Sequence, residues 1–471
     1  MSALAAELDG ISLGDQRLNR RARRLLEKLG EKPTVSIPAA CGGWDETRAA
    51  YRLFDHAKVT AERVLAPHIA CTEARLRAHP RVLCIQDTTE LDYSTKKAIA
   101  GLGPLNYESR WGLYLHPTLA LTPDRVPLGL LDLYSWAREP GSLGQEKGAN
   151  RPLEDKESVR WVDGFAHVNE LAEQLTETRL TYIADREGDL YDLFVEAPCP
   201  EHGADWLVRV PHRDRLLSDE RKLAAAIQGA PVLSDITFDK PATKGRPART
   251  VHQQIKVVRV TLKAPPRPDR TLADVTVTAL LATELNPPAG EDPLEWLLLT
   301  NLPVQTPEQA SEKLLWYLCR WQVEVYFKVL KSGCRIEELQ LETRERLEPA
   351  LAFYMIIAWR VLYLTMLGRE CPELSCDAVF ADEEWRAVYL VTQRKPPPAQ
   401  PPSLDTMVRM VASLGGFLNR KRDGFPGPKT LWIGLQRVPD FVLALEAQRS
   451  VGATYGHLEK FTVTVSSCKI I

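Results

Sequence analysis

The pattern of apolar and polar positions divides this chain into helical ends and a strand-rich middle. Helix-forming residues recur at helical spacing over Arg17–Leu29 and Asp45–Phe54, so the N-terminal part is predicted to be helical. Two short apolar runs, Arg81–Asp87 and Leu180–Asp185, predict buried strands that each end in a carboxylate. Residues 213–301 alternate with period two, which indicates a β-rich insertion of antiparallel strands.

Further patterns complete the chain. Pro123, Asp124 and Arg125 separate two apolar runs and predict a hairpin or tight turn. A proline-rich linker at Gln393–Pro402 precedes a small terminal region that is mainly helical. The other predicted elements are strands at Leu113–Thr122, Val126–Trp136 and Trp206–Val210, a loop at Gly141–Pro152, and helices at Ser158–Leu175, Gly188–Phe194, Leu404–Leu418 and Thr430–Gln448.

The stretch Tyr317–Lys331 carries the most informative pattern, and it predicts one amphipathic helix. At about 100° per residue its polar side chains fall on one narrow stripe, and apolar residues take the opposite, buried side. The stripe consists of Tyr317, Arg320, Glu324, Lys328 and Lys331. One carboxylate thus lies among cations and a phenol, which suits a metal-binding Glu beside phosphate-binding groups. Ion pairs from Glu324 to Arg320 and Lys328 on an exposed face explain the same pattern, and the helix alone favours that interpretation.

Composition limits the class of protein. The 471 residues are 44% hydrophobic and 26% charged, which is typical of a globular protein of two or three domains. The net charge of −2 provides no overall field for a polyanion, so nucleic acid would have to bind local basic patches. The nine cysteines include no CxxC pair, which argues for reduced thiols in a cytoplasmic protein. The longest apolar run, Leu351–Trp359, is too short to span a bilayer and predicts a buried helix.

Three carboxylates can meet at one edge of a sheet in this order of elements. Asp87 and Asp185 each end a predicted strand, and Glu324 lies on the later helix. Oxygen donors of this kind suit Mg²⁺ or Mn²⁺, which favour carboxylate and water over sulfur and imidazole. Singly, Asp87 could cap a turn and Asp185 could pair with Arg186, so the prediction depends on the three carboxylates occurring together.

The motif around Glu324 resembles one found in the DDE transposases of insertion-sequence family four. That family's third motif is Tyr, two residues, Arg, three residues, Glu, six residues, Lys. It matches Tyr317, Arg320, Glu324 and Lys331 without a gap. The likeness extends over most of the chain.

The family's other two motifs are similar to earlier segments in the same order. The second resembles Ile183–Phe194, with Asp185 in the catalytic position, and the first resembles Ile85–Tyr93, with Asp87. One departure is at the end of the chain, where Glu459–Ile471 alternates like a strand although the family ends in a helix.

The resemblance implies an α/β fold, with an RNase H-like mixed sheet core that carries the β-rich insertion and is flanked by N-terminal and C-terminal helical regions. The expected divisions are a helical end-binding region at 1–75, the first part of the catalytic core at 76–212, the insertion at 213–301, the core helices with the Glu motif at 302–370, and a helical dimerisation and DNA-contact region at 371–471.

The resemblance also implies roles for single residues. Asp87, Asp185 and Glu324 would be catalytic and would hold two Mg²⁺ ions per active site, with Mn²⁺ able to substitute, and Asp87 would bridge both ions. Trp296 and Trp321 would stack on or support an extruded base, with core packing as the alternative. Phosphate contacts are expected from Tyr317, Arg320, Lys328 and Lys331, and at the transposon end from Arg17, Arg20, Arg21, Arg23 and Arg24. Arg209, Arg213 and Arg215 could add contacts, with a role as ordinary surface charges as the equal alternative. These five N-terminal arginines are expected to be spread around their helix.

The implied function is cut-and-paste transposition by two-metal phosphoryl transfer, with strand nicking, hairpin formation at the transposon ends and strand transfer into target DNA. The implied partners are duplex DNA with terminal inverted repeats, target DNA and a second copy of the chain, without a membrane, in the cytoplasm at the bacterial nucleoid. Two alternatives remain: an RNase H-like DNA nuclease without strand transfer, and a transposase-derived DNA-binding protein that has lost catalysis. The long insertion argues against the first, and the three carboxylates argue against the second.

Overall fold

The computed structural model of the chain describes residues 4–95, 98–143, 153–196, 203–240, 247–267 and 270–455. The strand-like pattern at Glu459–Ile471 and most of the predicted loop at Gly141–Pro152 lie outside these residues. The chain divides into two compact units, Met1–Glu370 and Cys371–Ile471.

The first unit begins and ends with helices, and its strands lie between them. Its helices are α1 (Gln16–Glu31), α2 (Ile37–Cys41), α3 (Trp44–Phe54), α4 (Ala61–Leu76), α5 (Val159–Gln174), α6 (Tyr191–Glu196), α7 (Leu223–Gln228), α8 (Pro307–Leu318), α9 (Trp321–Lys328) and α10 (Arg344–Glu370). Its strands are β1 (Arg81–Gln86), β2 (Thr89–Asp92), β3 (Gly103–Pro104), β4 (Trp111–Leu121), β5 (Pro127–Trp136), β6 (Arg179–Ala184), β7 (Asp205–Arg209), β8 (Val232–Lys240), β9 (Arg249–Leu262), β10 (Val275–Glu284) and β11 (Glu295–Thr300).

All described strands belong to one mixed sheet, whose centre has the order β5-β4-β1-β6-β7. The strands β1, β6 and β7 are parallel, whereas β4 runs antiparallel to both β1 and β5. This is the mixed sheet of an RNase H-like core, as the resemblance implied. The parallel strands are almost wholly buried because helices cover the sheet, which explains their continuous apolar runs.

The β-rich insertion continues this sheet and does not form a separate one. Strand β11 pairs antiparallel with β7, and β10, β9 and β8 follow in antiparallel order. The sequence indicated the strands but not their attachment to the core. The attachment brings the segment around Trp296 next to the end of β7, where Leu298 pairs with Arg209.

Two helical layers enclose the central sheet. Helix α5 packs large aromatic side chains against one face, where Trp161, Phe165, Tyr182, Phe194 and Trp206 are all fully buried. Helix α10 packs against α1, α4 and β5. Among the described residues, α10 is the single helix long and apolar enough to cross a membrane, but 89% of its apolar window is packed inside the protein. Its composition is therefore that of a core helix, as the run Leu351–Trp359 predicted.

The second unit is helical, and its described residues form two more helices than the sequence indicated. It contains α11 (Asp382–Gln393), α12 (Leu404–Leu414), α13 (Pro428–Leu435) and α14 (Val438–Tyr455). Helix α12 begins at the Ser403 cap and ends before Gly415 and Gly416, four residues earlier than predicted. Gly416 has φ of 94°, a left-handed conformation that glycine adopts without strain.

Candidate active site

The carboxyl ends of three parallel strands bring Asp87, Asp185 and Arg209 to one edge of the sheet. Ile85 pairs with Ile183, and Ala184 pairs with Val208, so the register continues to Asp87, Asp185 and Arg209 at the same level. Neighbouring strands lie about 4.8 Å apart. The two strand-end carboxylates are therefore close together, and Arg209 lies beside Asp185 on the far side from Asp87.

Asp87 is held in a defined orientation. Its side chain is 17% exposed, and Oδ2 accepts a hydrogen bond from Arg320 Nη1 at 2.7 Å. The backbone N–H of Thr88 donates to Oδ1 at 2.8 Å. Burial raises the pKa of Asp87 to about 7, Arg320 opposes this shift, and the negative charges of Asp185 and Glu324 add to it. The carboxylates are thus near enough to repel one another.

Asp185 caps the turn that follows its strand. Its Oδ1 accepts a hydrogen bond from the backbone N–H of Glu187 at 2.8 Å, which begins a short 3₁₀ turn at Arg186–Gly188. Turn capping, which the sequence suggested as the alternative role of Asp87, is therefore found at Asp185, which also lies beside Asp87. An ion pair with Arg186, the other alternative, is not among the contacts of the described residues; the nearby Glu187 pairs with Arg160 at 3.0 Å.

The prediction of one continuous helix over Tyr317–Lys331 was wrong. Helix α8 ends at Leu318, and the next two backbone N–H groups donate to carbonyls three residues back: Cys319 to Trp316 and Arg320 to Tyr317, each at 3.0 Å. Helix α9 then runs to Lys328 and closes in a π-helical turn at Val329–Gly333. Turns of both kinds are common at functional sites, and here they change the angular positions of the polar residues.

These turns separate the predicted stripe into buried and exposed members. Tyr317 is buried, although it was predicted on the polar face. Glu324 has a side chain that is 56% exposed, and Lys328 is exposed. Lys331 lies in the π turn, with its Nζ 3.8 Å from Glu337.

Arg320 joins the carboxylates of the sheet edge and the helix. One nitrogen of its guanidinium donates to Asp87, and the other donates to Glu324 Oε1. The Arg320–Glu324 ion pair that the simpler interpretation of the helix required therefore exists, but Arg320 also pairs with Asp87, and only the Arg320–Asp87 contact is buried. Arg320 itself is 11% exposed.

The donor set fits a hard divalent cation, because Asp87, Asp185 and Glu324 offer only carboxylate oxygen. Within the described ranges of the chain, however, no three His, Cys, Asp or Glu side chains stand in an arrangement ready to hold a metal ion. Arg320 contacts both Asp87 and Glu324, with its guanidinium between the two carboxylates. Metal coordination by all three carboxylates would require Arg320 to move.

An aromatic cluster borders the site beside Arg209. Trp296 contacts Phe238, Tyr317 and Trp321, with ring centroids 5.5, 5.8 and 6.2 Å away. Burial raises the pKa of the Tyr317 hydroxyl, which also forms a hydrogen bond with Arg209. Trp296 is only 3% exposed, so in this conformation no base can stack on it, whereas Trp321 is half-buried.

Two of the arginines predicted to contact DNA are engaged in ion pairs within the first unit. Arg213 pairs with Glu295, and Arg215 pairs with the buried Asp189. Asp189 belongs to the segment that resembles the second motif. This segment therefore contributes two carboxylates: Asp185 at the site, and Asp189 as a structural anchor for the insertion.

The sequence did not indicate the polar contacts that support Asp87. The Thr88 hydroxyl lies 2.8 Å from Nδ1 of His116, which is fully buried against Trp161. The residue before Asp87 is also held by a hydrogen bond, since the side chain of Gln86 accepts one from the Tyr182 hydroxyl at 2.6 Å. A polar residue such as His116 within the apolar run Leu113–Thr122 was the available signal.

Comparison with known proteins identifies the family. A model of the transposase DDE domain matches residues 162–360, a model of a transposase DNA-binding region matches residues 1–59, and a model of the Tn5 transposase dimerisation domain matches residues 356–455. The chain belongs to the DDE transposases. It resembles the Tn5 transposase in particular, because the models for the DNA-binding, catalytic and dimerisation regions match in this order.

The transposase is also similar to a chain in the cryo-EM structure of the piggyBac transposase synaptic complex with hairpin DNA, at 10% sequence identity and a TM-score of 0.33. The match covers 85% of this chain and 62% of that chain, so the transposase spans less than two thirds of that protein.

The DNA-binding match of the transposase contains α1, where the structure corrects a further expectation. At about 100° per residue, Arg17, Arg20, Arg21 and Arg24 lie within one sector about 100° wide, and all four are exposed. The buried face consists of Ala22, Leu25, Leu26 and Leu29. Only Arg23 lies off the arginine face, and it bonds to the Leu8 carbonyl and approaches Asp9. The expectation that the five arginines are spread around the helix was therefore wrong for four of them.

Helix α4 lies beyond the DNA-binding match, although it falls within the predicted region 1–75. It packs against β5 and α10 of the core. Arg75, near its end, donates to the Leu128 carbonyl of β5 and pairs with Glu7 at 2.8 Å. A deletion that tests DNA binding should therefore stop before α4.

Proposed function

We propose that this transposase carries out cut-and-paste transposition at a site formed by Asp87, Asp185 and Glu324. The observation that carries the proposal is the convergence of two strand-end carboxylates, level across β1 and β6, with a helix carboxylate that shares one arginine with Asp87. Asp87, Asp185 and Glu324 would hold two Mg²⁺ ions, for which Mn²⁺ can substitute. Such ions activate a water or a DNA 3′-hydroxyl for attack and stabilise the leaving oxygen.

The chain's own residues bind and orient the DNA in this proposal. Arg320 forks onto phosphate oxygens in a bidentate manner, whereas Lys328 and Lys331 act as point charges beside the same strand. Tyr317 remains protonated because burial raises its pKa, so its hydroxyl can donate a hydrogen bond, and its contact with Arg209 directs both groups toward the strand ends. Thr88 fixes the orientation of Asp87 through its backbone N–H.

The transposon end would bind the exposed arginine face of α1. Phosphate contacts supply most of the affinity of proteins for DNA, and Arg17, Arg20, Arg21 and Arg24 lie on one face that can follow a duplex. Residues 356–455 would join two copies into a homodimer, as the match to a dimerisation domain supports. The expected location is the cytoplasm, at DNA that carries terminal inverted repeats and at target DNA.

Hairpin formation at the ends is the most specific part of the proposal. It needs an aromatic side chain to hold an extruded base, and such stacking is worth about 1–3 kcal/mol per base. Trp321 is the more accessible candidate, whereas Trp296 would first have to leave its contacts with Phe238 and Tyr317. Trp321→Ala should then form nicks near normally but give little hairpin product, and an equal loss of both products would contradict a role in hairpin formation.

A cleavage assay tests the proposed function against the two alternatives. The full chain is incubated with Mg²⁺ and a plasmid that carries the DNA flanking its own gene. Nicked, excised and joined products are then resolved on a gel, with Glu324→Gln as the inactive control. Excision and joining support transposition. Cleavage without joining identifies a nuclease, and binding without cleavage identifies a DNA-binding protein that has lost catalysis.

A further inference from the structure

We propose that Arg320 competes with the catalytic cation for the carboxylates of the site, so that it acts as a latch that must open before metal binds. The inference rests on the proposed function, because it assumes that Asp87 and Glu324 hold the metal. It adds a control on metal binding that is contained within the chain itself.

The contacts of Arg320 place its guanidinium on the oxygens that the cation needs. Nη1 donates to Oδ2 of Asp87 at 2.7 Å, and Nη2 donates to Oε1 of Glu324. The other oxygen of Asp87 already accepts the Thr88 N–H. A cation bound by both carboxylates would coordinate these oxygens at about 2.0–2.1 Å, as Mg²⁺ requires. The guanidinium and the cation would therefore occupy the same space between Asp87 and Glu324.

Burial makes this competition strong. Arg320 is 11% exposed and Asp87 is 17% exposed, so solvent screens their charges weakly. Two positive groups a few ångströms apart repel each other, and the repulsion is stronger where solvent screens their charges weakly. Arg320 in its present place therefore weakens the binding of a divalent cation to these carboxylates, and the cation binds more tightly once Arg320 has left.

Arg320 has an alternative partner once DNA is bound. The fork of a guanidinium matches a phosphate as well as a carboxylate. The Nε–H of Arg320 is buried and has no hydrogen-bond partner among the described residues, so one donor is still unsatisfied in the latched arrangement. A phosphate near the strand ends would draw Arg320 from Asp87 and Glu324 and leave both carboxylates to the cation. Metal binding would then be coupled to the arrival of DNA.

The test measures metal binding in the absence of DNA and needs no catalysis. Mn²⁺ is titrated into the full chain, and the free ion is followed by electron paramagnetic resonance. Arg320→Ala should bind Mn²⁺ at the site about tenfold more tightly than the wild type, within the ~5–150-fold range of typical coupling between sites. Arg320→Lys should lie between the two, because an ammonium retains the charge but cannot fork onto two carboxylates.

Arg209→Ala is the matched control for simple charge removal. Arg209 stands at the same edge of the sheet, level with Asp185, and bonds to the Tyr317 hydroxyl. Its loss removes one positive charge without freeing an oxygen of Asp87 or Glu324. The Mn²⁺ affinity of Arg209→Ala should therefore change much less than that of Arg320→Ala. An equal gain in both variants would overturn the latch, and so would unchanged or weaker binding in Arg320→Ala.

Two further variants separate failure of the latch from failure of the proposed function. In the Arg320→Ala background, Asp87→Asn and Asp185→Asn should each remove the tight Mn²⁺ binding. If neither substitution affects it, the ion binds elsewhere and the proposed metal site itself is wrong. Circular dichroism checks that each variant is folded. If Arg320→Ala does not fold, Arg320→Gln takes its place, since it keeps much of the volume and one amide donor without the charge, and the same gain in affinity is expected.

Discussion

The two ends of the parallel strands β1, β6 and β7 carry the same residue types in opposite proportions. At the amino ends, Asp205 is 2% exposed and accepts hydrogen bonds from two arginines, Arg81 at 2.8 Å and Arg179 at 2.9 Å. At the carboxyl ends, Asp87, Asp185 and Glu324 lie near one another, and Arg320 pairs with two of them. The amino edge therefore has more cationic than anionic groups around the buried Asp205, whereas the carboxyl edge has an excess of carboxylates.

This difference separates a structural ion-pair network from a reactive site. The amino edge is completed by Thr181, which accepts from Arg81, and by Trp316, whose ring lies under Arg81 and Lys313. Every charge there has a protein partner, so the network needs nothing from outside. At the carboxyl edge the excess negative charge costs stability, and a bound cation would relieve it. The same residue types thus support folding at one edge and, in our proposal, catalysis at the other.

The largest expected effect is a loss of DNA cleavage on substitution at the carboxyl edge of the parallel strands. Asp185→Asn or Glu324→Gln should lower the rate of DNA cleavage by about a thousandfold or more, because the site loses several kcal/mol of transition-state stabilisation from metal ions. DNA binding should persist, since phosphate contacts elsewhere supply most of the affinity. Gel assays of cleavage and of binding check this prediction. A variant that cleaves at the normal rate would remove that residue from the site.

The next effect concerns stability at the amino edge. Asp205→Asn should destabilise the protein by about 3–5 kcal/mol, because it leaves Arg81 and Arg179 without their buried carboxylate. The cleavage rate per folded molecule should stay near normal, since the substitution lies at the opposite end of the strands. Urea denaturation and the cleavage assay are compared on the same preparation. Loss of activity in a fully folded variant would contradict the division of roles between the edges.

An Asp-to-Asn substitution should have the opposite effect on stability at Asp87. Burial raises the pKa of Asp87 to about 7, above the value of about 3.8 for the unfolded chain. The folded state therefore binds a proton more tightly, and the stability due to this group is present below pH 4 and lost as the pH rises through 7. Asp87→Asn cannot ionise, so it should be more stable than the wild type by about 2–4 kcal/mol at pH 8.

The difference between Asp87→Asn and the wild type should shrink steadily as the pH falls, and it should disappear only below about 3.8, where the Asp87 carboxyl is protonated in both states. Urea midpoints measured in the presence of EDTA at pH 8, 6 and 4.5 provide the test, because the chelator prevents stabilisation by a metal. A gain that does not depend on pH would point to packing as its cause, and a loss of stability at pH 8 would contradict the excess of negative charge.

The smallest expected effect concerns the arginines of α1 that are proposed to bind DNA. Arg20→Ala on the α1 face should weaken DNA binding and reduce the slope of log K against log salt by about 0.9, the contribution of one phosphate contact. Arg23→Ala is the matched control on the same helix, because Arg23 faces Leu8 and Asp9. Salt titrations of both variants with one DNA duplex provide the measurement. Equal slopes for the two variants would mean that the α1 face does not contact DNA.

Some features of this chain follow from local pattern. The buried strands that end at Asp87 and Asp185, the turn before β5 and the buried core helix were all evident, because periodicity and polarity report burial directly. The order of strands with terminal carboxylates, together with the spacing from Tyr317 to Lys331, carried the resemblance to the family, and that resemblance implied the fold. These signals are local, so the sequence alone carries them.

Contacts between distant parts of the chain could not be inferred in this way. Nothing local shows that Arg320 lies between Asp87 and Glu324, or that His116 supports Thr88, since each contact joins residues brought together by packing of the sheet. The helix carrying Glu324 is tightened at Arg320 and widened at Lys331 in order to fit the core, and this changes which residues share a face. The sequence determined the carboxylates and their order. The tertiary structure alone decided that Asp87 and Glu324 share Arg320, because this depends on distances that no local pattern encodes.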